Sequence, residues 1–101
     1  MARQAKLSWT APAVDDLDDI AAFIAAENPH AAAKLVASAF DAVDRLRRFP
    51  DAGRYVPEIP GRIYRECIVP PLRIIYRREG AQIVVVYVVR GERPLRRSRL
   101  R

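Results

Sequence analysis

The sequence predicts an α+β fold, a helical hairpin packed on a small, mostly antiparallel sheet in the order β-α-α-β-β-β. Three observations carry this. Two stretches with apolar residues at helical spacing are joined by only a few residues around Asn28-Pro29, and so short a connection makes antiparallel neighbours. Between Gly61 and Arg93, apolar and β-branched residues alternate with arginines and break at Pro70-Pro71 and Glu79-Gly80-Ala81-Gln82, the pattern of a three-stranded meander. At 101 residues there is room for one modest core, so hairpin and meander must share it.

Each element has a local justification. Lys6-Leu7-Ser8-Trp9 alternates weakly and reads as a short first strand. Thr10 can cap the helix that follows, and Pro12 falls in its first turn, where a missing N–H costs nothing. Val14, Leu17, Ala21 and Ile24 give that helix one apolar face, and it should run to about Glu27. Asn28 then caps a second helix with Pro29 at its first position. Ala32, Leu35, Val36, Ala39, Phe40, Val43 and Leu46 form its stripe, and the helix is expected to stop near Phe49-Pro50.

A loop from Asp51 to Gly61, with Glu58 near its centre, leads into the meander strands Arg62–Val69, Leu72–Arg78 and Ile83–Val89. In the first, alternation places Arg65 on the side of Ile63, Cys67 and Val69, so it needs a polar partner, expected from Glu58 or the neighbours of Glu66. The third is apolar on both faces, as a central strand should be. Residues 1–94 are read as one domain, and 95–101, rich in arginine, as a basic tail expected to pack little and stay mobile.

Composition narrows the function classes. Residues 1–6 show no signal peptide and no apolar run approaches the roughly 20 residues of a membrane span, so a cytoplasmic protein without membrane contact is expected. Cys67 is the only cysteine and reads as a small buried side chain, while His30, the only histidine, should be exposed. Asp15, Asp16, Asp18 and Asp19 read as a solvated helix face rather than a cation site. No metal site, phosphate loop, cofactor motif or Ser/His/Asp or Cys/His set is present. The net charge of +6 is lopsided: residues 1–53 carry six Lys/Arg against eight Asp/Glu, and residues 54–101 twelve against four. That asymmetry points to a polyanionic or acidic partner on the sheet and tail.

Trp9, then Asp16-Leu17-Asp18-Asp19-Ile20, Asn28-Pro29, Phe49-Pro50-Asp51-Ala52-Gly53-Arg54, Pro57-Glu58, Arg65-Glu66-Cys67-Ile68-Val69, Leu72-Arg73-Ile74-Ile75-Tyr76-Arg77 and Arg90-Gly91-Glu92-Arg93 follow in one order over nearly the whole chain. Together they resemble the RelE/ParE superfamily of bacterial toxins. The resemblance implies a growth-inhibiting toxin of a type II toxin–antitoxin pair of the plasmid-stabilisation kind, held inactive by a small acidic antitoxin. Within the superfamily, RelE-like members cut mRNA on the ribosome and ParE-like members poison DNA gyrase.

Cleavage needs cations around the scissile phosphate and groups that move protons. If the chain is a ribonuclease, Arg65, Arg73, Arg93 and Glu58 are its candidates. Where RelE-like members carry lysines on the first meander strand, however, this chain has Tyr64 and Glu66, and after the last strand it has Arg90 and Gly91. Arginine clamps anions well and shuttles protons poorly. The ParE-like branch is therefore favoured, with Arg54, Arg65, Arg73, Arg90 and Arg93 as a surface for gyrase or antitoxin and no chemistry of its own. The alternatives are a ribosome-dependent mRNA endoribonuclease and a non-toxic basic nucleic-acid-binding module.

Overall fold

A computed structural model describes residues 4–100; Met1 to Arg3, and Arg101 of the basic tail, lie outside them. The elements are β1 (Lys6–Trp9), α1 (Ala11–Ala25), α2 (Pro29–Arg45), β2 (Arg54–Tyr55), β3 (Tyr64–Val69), β4 (Leu72–Glu79), β5 (Gln82–Arg90) and a short 3-10 turn, Arg97–Arg99. They make one five-stranded sheet in the order β1-β5-β4-β3-β2, antiparallel except for β1, which runs parallel to β5. The α+β architecture is the one read from the sequence, with β2 as an extra two-residue strand.

Both helix starts follow their caps. The Thr10 hydroxyl accepts from Ala13 N at 3.2 Å and the Asn28 side chain from Ala31 N at 3.0 Å. The stops come earlier than the periodicity suggested, at Ala25 and Arg45. Leu46 stays buried in the turn that follows, so the apolar stripe outlasts the helix. The strand expected from Arg62 begins at Tyr64 because Gly61 (φ 98°) and Arg62 (φ 53°) both turn left-handed, a conformation no strand contains.

The sheet has two buried faces. On one, Leu72, Ile74, Tyr76, Ile83, Val85 and Val88 pack against Ala13, Leu17, Ala39 and Val43 of the hairpin. On the other, Tyr64, Ile75, Val84, Val86, Tyr87 and Val89 gather with Val56, Ile59, Leu95 and Leu100. Pairing slips between Ile75↔Tyr87 and Tyr76↔Val85, which leaves Val86 as an inserted residue. Through this bulge Val86 and Tyr87, adjacent in sequence, both join the second face.

That second face corrects the reading of the tail. Leu95 and Leu100 are half-buried there, Arg96 N donates to Tyr87 Oη at 3.4 Å, and Arg97 reaches the Glu58 carbonyl at 3.2 Å. The two leucines supply the apolar area that the run of arginines conceals in the sequence, so the segment packs.

Candidate functional site

The candidate residues lie in three different places, one on each face of the sheet and one beside α1. On the second face, β3 presents Glu66 and β4 presents Arg73, among Tyr64 and Ile75. The Glu66 carboxylate is fully buried and receives the Arg54 guanidinium on one oxygen and Arg73 Nε, at 2.7 Å, on the other. Arg73 then spends its two terminal nitrogens on Glu58, at 2.7 and 2.9 Å, a bidentate pair. The result is a chain of alternating charge, Arg54–Glu66–Arg73–Glu58, in which Arg73 is only 12% exposed. Its hydrogen bond from Arg73 holds the Glu58 carboxyl below the usual carboxylate range, and the same bond raises Arg73 further. Glu58 is therefore a weaker base than an ordinary glutamate.

Arg65 stands on the helix side of β3, as alternation predicted, but its partners are not the expected glutamates. It donates to the carbonyls of Asp51 at 3.1 Å and Gly53 at 2.7 Å and to Tyr55 Oη at 2.9 Å, and it lies over the Tyr55 ring at 4.0 Å. Its carboxylate partner is Asp51, at 3.7 Å. The loop it grips is latched to the sheet by Tyr76, whose hydroxyl donates to the Pro50 carbonyl at 2.9 Å and accepts from Gly53 N at 3.0 Å. Gly53 is required at that contact, because a Cβ would come within 2.6 Å of both Tyr76 Oη and the Glu66 carbonyl. Burial pushes the Tyr76 hydroxyl and the Cys67 thiol up, which suits neither as a proton acceptor or nucleophile.

The third part is a cleft of about 610 Å³ between α1 and the segment that follows β5. Ile20, Phe23, Val88 and Val89 form its apolar wall, and Arg90, Arg93, Arg96 and Arg99 stand along it. Asp16 closes one side. It accepts from Val88 N at 3.1 Å and binds Arg99 through both oxygens, at 2.8 and 2.6 Å, while Arg99 covers the Tyr87 ring at 4.5 Å. Asp16 raises the Arg99 guanidinium still further. The reading of the four aspartates as one solvated face thus holds for Asp15, Asp18 and Asp19, which are exposed, and fails for Asp16.

Arg65, Arg73 and Arg93 consequently do not form the single cationic site that the sequence suggested. Arg65 and Arg73 point to opposite faces of the sheet and are tied to different acids, and Arg93 belongs to the cleft beside α1. Arg54 shares the Glu66 carboxylate with Arg73, and Arg90 lies 2.8 Å from Glu92. Asp16 and Arg99 were missed. A signal for Asp16 was present: it lies three residues after Ala13 and four before Ile20, on the buried flank of α1.

A family model described as the ParE toxin of the type II toxin–antitoxin system parDE matches residues 7–95. The candidate toxin Y4kP of Sinorhizobium fredii is 43% identical over 76 residues, which is 71% of this chain and 74% of that protein. Among solved structures, a chain of the chromosomal ParDE toxin–antitoxin system from P. aeruginosa superimposes with a TM-score of 0.75 at 27% identity, covering 90% of this chain and all of that one (100%). A chain of the toxin–antitoxin complex RelBE2 from Mycobacterium tuberculosis has the same fold, with a TM-score of 0.58 at 20% identity over 86% of this chain and 98% of the other.

Proposed function

The chain belongs to the ParE toxin family of type II toxin–antitoxin systems, and from that premise we propose that it arrests growth in the cytoplasm by docking on DNA gyrase, without cutting RNA, until a small acidic antitoxin neutralises it. The observation that carries this reading is the state of the sheet arginines. Arg73 gives its donors to Glu66 and Glu58, and Arg65 gives its donors to loop carbonyls, Tyr55 and Asp51. Neither is available to clamp a scissile phosphate, and Glu58, the candidate base, is made less basic by Arg73. What is left is a scaffold that displays positive charge, which suits binding better than acid–base chemistry.

Adding the purified protein to gyrase and supercoiled DNA, and in parallel to programmed ribosomes, tests the reading. Gyrase-dependent DNA breaks or lost supercoiling, with intact mRNA, is the expected result. Ribosome-stimulated mRNA cuts with gyrase unaffected would assign the chain to the ribonuclease branch instead. The antitoxin is expected from a short acidic reading frame that adjoins this gene, and its product should restore gyrase activity in the same assay.

A further inference from the structure

We propose that the cleft between α1 and the segment after β5 is where an acidic peptide segment bearing an apolar side chain docks, and that the Asp16–Arg99 pair acts as the clasp that fixes one wall of this site. The proposal rests on the reading that a neutralising acidic protein exists, and it says where on the toxin that protein is held.

Among the described arginines, Arg45, Arg48, Arg62, Arg93, Arg96 and Arg97 have no carboxylate within ion-pair distance, and of these Arg93 and Arg96 stand together along this cleft. Arg90, between them and α1, is buried at Nε, and the N–H there is unpaired: Glu92 Oε1 lies 2.8 Å away but off the N–H direction. Opposite these cations, Phe23 is 71% exposed, with the Arg90 guanidinium 5.7 Å from its ring centre, and Ile20 and Val89 continue the apolar surface. A large exposed aromatic in a cleft also lined by Arg93 and Arg96 fits an apolar side chain flanked by carboxylates. Asp16 does not cancel this field, because Arg99 neutralises it, and Asp19 is the single unpaired acid on the rim.

The clasp explains why so basic a segment stays where it is. Between Arg93 and Arg99 the chain would repel itself, yet it is held by Asp16 at one point and by the Glu58 carbonyl and Tyr87 hydroxyl at two more. Arg96 is thereby kept at the cleft rather than swept into solvent. Asp16 touches no partner in this scheme; it is a positioning residue.

The test titrates the toxin, at physiological ionic strength, with the purified product of the short acidic reading frame expected beside its gene; absence of such a frame would overturn the partner reading itself. Arg93→Glu together with Arg96→Glu should weaken binding by roughly thirty-fold or more, whereas Arg48→Glu, in the turn after α2 and outside the cleft, should change it by less than about threefold. Asp16→Asn should weaken binding roughly tenfold and Asp16→Glu should restore it, with the melting curve recorded alongside to separate docking from unfolding. If Asp16→Asn fails to fold, the exposed Arg93 and Arg96 still decide the matter. Unchanged affinity in their double variant, or tighter binding by Asp16→Asn, would overturn the inference, the latter by making the tail an obstacle instead of a wall. A wild-type toxin that ignores the acidic protein would instead overturn the partner reading on which the inference stands.

Discussion

The two faces of one sheet close in different ways. Against the helices, Ile74, Ile83 and Val85 meet Leu17 and Val43, apolar on apolar, with Arg65 turned aside to the loop. Against the loop and the tail, Ile75, Val84 and Val86 share their layer with a buried carboxylate and a nearly buried guanidinium. The first closure tolerates no polar partner choice; the second requires every donor to find its acceptor. Apolar contact stabilises in proportion to area, while a buried ion pair offers little net stability but is costly to break from one side. The helix face therefore makes the fold stable, and the opposite face specifies how the loop and tail must lie.

Substitutions can sharpen or break that contrast. Ile74→Ala, in the middle of the helix face, should cost about 4 kcal/mol in urea denaturation, the range of a large buried side chain removed from a tight core. Glu66→Ala should cost about 3 kcal/mol, because it leaves Arg73 facing an apolar layer with only Glu58. Glu66→Ala should also free Arg54 and the two-residue β2, visible as faster amide exchange at the loop, a change that Ile74→Ala should not single out. Loss of the same amides in both variants would mean that the faces are one cooperative unit.

Tyr76→Phe removes the hydroxyl between Pro50 and Gly53 and should cost about 1.5 kcal/mol, since the Gly53 N–H is left unpaired. Smallest is the acid dependence. Arg73 depresses Glu58 in the folded chain, so the contribution of this pair is complete above the usual glutamate range and is lost as pH falls through the folded value. Because Glu58 is half exposed, the effect should stay under about 1 kcal/mol. Glu58→Gln should flatten the stability profile below about pH 4.3, and an unchanged profile would remove the pair from the account.

These faces were unequally legible in the sequence. Periods of two and 3.6 residues report which side chains point inward, and they placed the hairpin, the interior position of β5 with both faces covered, and the orientation of Arg65. They do not report partners. Asp51 reaches Arg65 only because Tyr76 anchors the loop between them, and Glu58 reaches Arg73 across 15 residues of chain. The inserted Val86 has no signature in a run of valines, so the turn of Tyr87 to the second face was hidden, and with it the surface on which Leu95 and Leu100 sit. For the candidate site, residue types were readable and their grouping was not. Arginines that look interchangeable in sequence divide into those neutralised by an acid and those that are not, and only the three-dimensional pairing separates Arg73 from Arg93.

The parallel ladder between β1 and β5 has a consequence for how such a chain is made. Lys6 lies opposite Gln82 and Trp9 opposite Val85, so the first strand waits for the last one among the described residues. Synthesis proceeds from the N-terminus, and contacts this distant in sequence form late. While the ribosome is still translating, α1 and α2 can pair, but the strand that completes their core does not yet exist. The sheet that walls the cleft is complete only once β5 has been made, so a chain cut before Gln82 would lack Val88, Val89 and the arginines that follow them.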